Sequence, residues 1–307
     1  MNTSEEKSKL AMVYLAYGLE SGKYQAILSI YTLCHHIGAN INDFLIVIYT
    51  DSSCALFDKY LTGLPVKLEI ISREQIKQFR GPDDFVFRIK PLILKEFFLK
   101  YKCNLLYVDT DTYFLHNPMP LFQNIKPGYS IMNIEEYNFV DAGPIEPIHW
   151  FSLRQALKRY KYSIGGQEVT IPIATMMWNA GIIGISYKDC KLVDSIIELT
   201  DEIYSKCSAF IVEQFATSYI LQTHTTVKST ENYIEHYWIK GLKNVFNIMI
   251  PRFLKQNSDK SGRNLYEAAF NFALSTVQLP HLHTEPLVER IKKRMKLIIK
   301  VARKGHL

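Results

Sequence analysis

Long apolar runs are missing from these 307 residues: none reaches the roughly 20 residues needed to cross a bilayer as a helix. The N-terminal MNTSEEKSKL is polar, where a secretory signal would be charged and then apolar. Cysteine is scarce: Cys34, Cys54, Cys103, Cys190 and Cys207 form an odd set with no CxxC pair. That argues against a disulfide framework or a zinc ribbon and fits small buried hydrophobes in a reducing compartment. The formal glycosylation sequon at residues 2–4 then carries no weight, and a cytoplasmic location is expected.

A single-sign charge excess is missing from most of the chain as well. Of the net +6, residues 286–307 supply eight Lys/Arg against one Glu, a net +7, which leaves about −1 for the remainder. A basic surface for nucleic acid on the main domain is thereby excluded. The composition, 48% hydrophobic and 21% charged, is that of a folded globular chain and not a disordered one.

Apolar segments suited to buried strands occupy residues 10–17, 44–51, 66–72 and 104–111. Helical patterns lie between them at 24–38, closed by Gly38, at 52–61 with Ser52 as the expected N-cap, and at 90–101 with Pro91 in the first turn. Continuously apolar strands that alternate with helices predict a parallel sheet covered on both faces. Beyond residue 111 the pattern predicts strands at 129–137 and 176–186 around an irregular Pro/Gly-rich segment. Helices near 187–206 and 212–223 and a strand-like stretch over 225–238 follow. From Gly241 the reading is helical, interrupted at Pro251 and around 257–264. The expected organisation is an α/β domain over 8–240 and a helical extension over 241–307.

The fourth strand ends in LLYVDTDTYFLHNP, and a buried strand has no use for two unpaired carboxylates. Residues i and i+2 of a strand share a face, so Asp109 and Asp111 can converge on one cation while Thr110 faces away. Two hard oxygen ligands leave room for water and phosphate oxygens, the shell expected of Mg²⁺ or Mn²⁺ bridging a diphosphate. The alternative is a pair of solvated turn aspartates, which is common for so short a motif. A phosphohydrolase of the haloacid-dehalogenase type would also place two aspartates after an apolar strand. It would have Thr where this chain has Tyr113, and the pair would lie nearer the start.

LLYVDTDTYFLHNPMPLF resembles the metal-binding segment of GT-A-fold, nucleotide-sugar-dependent glycosyltransferases, in particular glycosyltransferase family 8, the glycogenin and lipopolysaccharide-galactosyltransferase group. Three further segments stand in the order of that family: RIKPLILKEFF (88–98), WNAGIIGIS (178–186) and VEQFATSYIL (212–221). The resemblance spans about residues 10–240. It implies a Rossmann-like GT-A mixed sheet flanked by helices, a UDP-sugar donor with Mn²⁺ or Mg²⁺, and retention of anomeric configuration. By resemblance, Asp109 and Asp111 bind the metal, with Thr110 in the same segment, and His236 is their third ligand. Arg88 and Lys90 meet the donor phosphates or sugar, while Asn179, Glu213 and Gln214 address the donor sugar and the reacting centre. Gly181 permits a close backbone approach, and Tyr17 and Gly18 form the nucleotide-base corner. His236 departs from the family spacing, since no KPW follows it and Gly241 is displaced. His281 and His283 have metal-like spacing but read as structural.

In the tail, Val288, Ile291, Met295, Ile298, Ile299 and Ala302 recur at helical spacing among basic residues. Such a helix can lie on an anionic membrane surface, which predicts a peripheral enzyme at the inner face acting on a lipid-linked or cell-surface glycan. The acceptor itself is not specified. Two other readings stand beside the transferase: a Mg²⁺-dependent phosphohydrolase and a non-catalytic, membrane-peripheral nucleotide-sugar-binding protein.

Overall fold

The computed structural model describes residues 10–140 and 147–278. The amphipathic tail expected over 286–307, and His281 and His283, lie outside the described residues.

The chain begins with β1 (Leu10–Leu15), α1 (Glu20–Ile37), β2 (Phe44–Thr50), α2 (Ala55–Tyr60), β3 (Val66–Ile70) and α3 (Arg73–Arg80). It continues through α4 (Ile89–Tyr101), β4 (Leu105–Val108), β5 (Thr112–Phe114), α5 (Met119–Asn124), β6 (Tyr129–Met132) and β7 (Glu135–Tyr137). Next come α6 (Ile148–Arg159), β8 (Tyr162–Ile164), β9 (Gln167–Val169), β10 (Met177–Trp178) and β11 (Ile182–Ile185). The rest is α7 (Leu192–Lys206), α8 (Val212–His224), β12 (Thr226–Ser229), β13 (Ile234–His236), α9 (Lys240–Gln256) and α10 (Gly262–Val277).

Seven strands form one sheet in the order β12-β6-β11-β4-β1-β2-β3. Only β11 runs against its neighbours, pairing antiparallel with β4 and β6, so the sheet is mixed and not purely parallel. Side chains alternate between its two faces. Ala11, Val13, Leu105, Tyr107 and Ile183 join one buried cluster with α4, α7 and α8. Met12, Tyr14, Leu106, Val108 and Ile182 join the other with α1, α9 and α10. The expected α/β sheet flanked by helices is therefore present, and helices cover both faces.

The helices after residue 240 are part of that packing. Phe246, Ile250 and Phe253 of α9 and Ala269 and Ala273 of α10 lie in the same cluster as the strands. Each buried Phe or Ile contributes about 1.5–3 kcal/mol by leaving water. That is enough to carry α9 through Pro251, whose ring forfeits one backbone hydrogen bond at about 3 kcal/mol. The expected interruption at Pro251 is absent for this reason.

Other boundaries also shift. Cys54, not Ser52, precedes the second helix. Residues 129–137 and 176–186 each divide into two short strands that serve different sheets. The segment expected to be irregular contains α6, which buries Leu153, Ala156 and Leu157 at helical spacing, and the hairpin of β8 and β9.

The connections from β1 lead outward to β2 and β3 on one side and return through α4 to β4 on the other. The crevice between β1 and β4 is thus a topological switch point, where open α/β sheets bind ligands beyond the carboxyl ends of strands.

Candidate active site at the carboxyl edge of the sheet

At the end of β1 the chain turns at Gly18, whose φ of +77° suits glycine, and Gly18 N–H donates to Asp51 Oδ2 at 2.7 Å. Asp51 follows β2 and accepts from the buried Lys23 at 2.6 Å. Tyr17 beside it is half-buried. These residues form one wall of the crevice.

Asp109 and Asp111 stand at the end of β4, but they are not part of an extended strand as expected from their spacing. The strand stops at Val108, and Thr112 begins β5, which pairs with β13 in a different sheet. The carboxylates converge because the chain bends between two sheets. Thr110 points away, donating from Oγ1 to Gln25 Oε1 at 3.1 Å. On β13, facing β5, His236 completes the group: its ring and the two carboxylates offer ligand atoms that all lie within 4.8 Å of one another. His236 Nε2 is 3.4 Å from Asp111 Oδ1 and 3.9 Å from Asp109 Oδ2.

The proton on His236 is placed by a chain of partners. Glu136, just after β6 in the short β7, accepts from Asn179 Nδ2 at 2.7 Å. A carboxylate is acceptor-only when ionised, so Asn179 must turn its amide nitrogen to Glu136 and its oxygen the other way. That oxygen accepts from Gly181 N–H at 2.9 Å and lies 2.8 Å from His236 Nδ1. In the neutral ring Nδ1 therefore carries the hydrogen, and the Nε2 lone pair faces the two carboxylates. Three acceptors meeting without a hydrogen among them are what a divalent cation needs, and the donor set, two carboxylates and an imidazole, suits Mn²⁺ or Mg²⁺.

Positive side chains brace the pair. Lys243 of α9 donates to Asp111 Oδ2 at 2.6 Å. Burial alone would raise the Asp111 carboxyl, but in the metal-free protein a protonated His236 ring, donating from Nε2, and Lys243 outweigh it and hold the group well below the ordinary carboxylate range. A bound cation would take the place of that Nε2 proton. Lys90 of α4 donates to Ala180 C=O at 2.9 Å and lies 3.4 Å from Asp109 Oδ2 and 3.7 Å from Glu213 Oε2. Burial opposes its charge, yet Asp109 and Glu213 prevail and raise its pKa. Tyr107 donates to Asp109 Oδ1 at 2.6 Å. Glu213 is itself 3% exposed, and burial pushes its carboxyl up despite Lys90. Gln214 donates from Nε2 to Glu136 Oε2 at 2.7 Å.

The structure thus brings together Lys90, Asp109, Asp111, Asn179, Gly181, Glu213, Gln214 and His236. Arg88, expected to meet donor phosphate, does not join them. Its guanidinium grips Asp201 of α7 through Nε at 2.6 Å and Nη2 at 2.8 Å and also donates to Phe79 C=O. A bidentate Arg–carboxylate pair between two helices is a structural clamp. Asn179 is bonded to Glu136 and His236 inside the protein, and Gly181 makes room for the His236 ring. Glu136 and Lys243 escaped the sequence reading. Glu136 lies in an unremarkable polar strand, and the spacing of Lys243 from His236 carries no signal, because His236 ends β13 and α9 begins only at Lys240.

No protein-family model matches the chain, and no curated protein matches it in sequence. Among solved structures, mouse xyloside xylosyltransferase 1 in its apo form is similar at 11% identity and a TM-score of 0.46, over 72% of this chain and 84% of that one. The glycosyltransferase GlyE of Streptococcus pneumoniae TIGR4 is similar at 13% identity and a TM-score of 0.49, over 91% of this chain. The match takes in 66% of GlyE, just under two thirds of that longer protein. Both neighbours are glycosyltransferases, and at these identities and scores neither lends its activity to this chain.

Proposed function

We propose that the chain is a metal-dependent glycosyltransferase of the GT-A type that moves a sugar, with retention, from a UDP-linked donor to a glycan hydroxyl. The observation that carries this reading is the Asp109–Asp111–His236 group at the switch-point crevice, whose ligand atoms all lie within 4.8 Å of one another. A divalent cation held there, Mn²⁺ or Mg²⁺, supplies a Lewis acid for the departing diphosphate. The chain's own residues do the remaining work. Tyr17 and Gly18 receive the nucleotide base on the β1 side. Lys90 fixes Asp109 and adds positive charge where the leaving group develops negative charge, the kind of preorganised electrostatics that usually dominates catalysis. Glu213 and Gln214 wall the sugar subsite, and Asn179 acts on it indirectly by orienting His236. Residues 286–307 would hold the enzyme against the inner face of the membrane. Among the described residues no helix is long and apolar enough to cross one.

The test is calorimetric titration of UDP into the intact chain with Mn²⁺ and then with chelator, beside an Asp109→Ala/Asp111→Ala double variant. Metal-dependent binding that disappears in a folded double variant supports the proposal. Hydrolysis of 4-nitrophenyl phosphate without UDP binding would replace it with the phosphohydrolase reading. Metal-dependent UDP binding without turnover of any UDP-sugar would leave the binding-protein reading.

A further inference from the structure

Two aromatic side chains beside the site stay exposed. Phe87 is 41% exposed and Phe210 50%, each in the turn that opens a helix of the site. Phe87 precedes Lys90 of α4 by three residues, and Phe210 precedes Glu213 of α8 by three. Lys90 and Glu213 meet at 3.7 Å, so the two helix starts converge there. The two rings also meet, with centroids 6.3 Å apart. Each ring thus stands three residues along the chain from one member of the Lys90–Glu213 pair. His149, at the start of α6, sets its ring edge-on to Phe210 at 4.7 Å. From below, Phe87 rests against the buried Phe85, whose ring stacks on Tyr204 at 3.9 Å. The outer rings are thus held by packed inner ones and keep their orientation without a ligand.

We propose that Phe87, Phe210 and His149 form the acceptor subsite and that they bind a pyranose ring by its apolar face. This rests on the transferase reading, and it names the acceptor class as a glycoside whose sugar stacks at the mouth of the site. A pyranose offers one flat side of C–H groups carrying slight positive charge, and an aromatic face is negative. The contact gains apolar burial on both partners while the sugar hydroxyls stay at the ring edge, in water. Position favours this occupant: the two rings stand on the turns that lead directly into Lys90 and Glu213, beside a donor sugar walled by Glu213 and Gln214. An apolar patch of this size elsewhere on a surface would read as a protein contact. Beside the charged floor of a sugar-transfer site it reads as the seat of an amphipathic ring.

The experiment is saturation-transfer NMR on the full chain with methyl α- and β-glycosides of glucose, galactose, N-acetylglucosamine and xylose, with and without Mn²⁺ and UDP. The expected result is transfer to the ring C–H protons of at least one glycoside. Affinity should fall more than tenfold in a Phe87→Ala/Phe210→Ala variant and survive in Phe210→Trp, with UDP binding unchanged in both. Contact with none of the eight glycosides, or undiminished contact in the double alanine variant, would overturn the proposal. So would self-association of the wild type that the double variant abolishes, which would assign the patch to a second copy of the chain. Failure of UDP to bind speaks against the transferase reading alone, because glycoside contact is read on the nucleotide-free protein too.

Discussion

Gly181 is a glycine because His236 fills the space where its side chain would be. A Cβ at 181 would overlap the Cε1 and Nδ1 atoms of the ring. The two residues come from β11's entry turn and from β13, more than fifty positions apart in sequence, and the ring's approach to the aspartates depends on that missing methyl. Gly181→Ala is expected to push the imidazole out of line and weaken Mn²⁺ binding at least tenfold, measured by the free-ion EPR signal. Unaltered affinity in a folded variant would show that His236 is not a ligand.

Glu136 governs the same ring from further away. With Glu136→Gln, the acceptor-only anchor is lost and the Asn179 amide can turn at the cost of its bond from Gly181 N–H, presenting NH₂ to His236 Nδ1 and driving the ring hydrogen to Nε2. Partners of this kind typically account for 10–100-fold in metal affinity. The expected outcome is a loss of that size in Mn²⁺ affinity, accompanied by a changed ¹⁵N shift pattern for His236 in the metal-free protein. A normal His236 spectrum in Glu136→Gln would break the chain of inference through Asn179.

How much of this was legible in sequence differs from residue to residue. The strands on either side of the crevice, Asp109, Asp111, Lys90 and His236 could be read, because buried strands and helices leave periodic apolar patterns and charge at a strand's end is chemically anomalous. Glu136 could not, since its importance lies in facing Asn179 and Gln214 across non-local pairings that no local pattern encodes. Arg88 is the complementary case: its partner Asp201 lies 113 residues away, and no local pattern shows the pair. The helix α6 was missed because Pro and Gly nearby dominate the composition, while its apolar stripe of Leu153, Ala156 and Leu157 is short.

Lys90 serves stability as well as chemistry. It is the buried counter-charge for both Asp109 and Glu213, and Lys90→Met leaves them unpaired. Breaking a buried pair by removing one partner costs about 3–5 kcal/mol. Urea unfolding should show a loss of that order, recovered in part by a second change, Glu213→Gln, which removes one of the stranded charges. A loss under about 1 kcal/mol would mean that water already reaches these carboxylates.

A pH signature is expected at the other wall of the crevice. Burial tends to raise the Asp51 carboxyl, but its bonds from Lys23, Gly18 and Ser53 outweigh that and lower it. A depressed folded-state pKa means the carboxylate stabilises the fold above the ordinary value of about 3.9 and loses that contribution as pH falls through the folded value. Asp51→Asn should therefore be less stable than wild type at pH 7, with the gap closing towards pH 3. A gap that widens in acid would refute the assignment.

The direction of β11 has one more consequence, for how this protein can change over generations. A strand that runs against its neighbours enters the sheet where they leave it, so the loop ahead of it is fastened from both sides. Asp109 N–H donates to Gly181 C=O at 2.7 Å, and Asn179 N–H donates to Ile134 C=O at 2.8 Å. The turns after β1 and β2 are tied to each other instead, with Gly18 N–H and Lys23 both bonding Asp51, so they can vary together. The few residues before β11 cannot be respaced without moving Asp109 and Asn179, so sequence drift around the crevice should be least there.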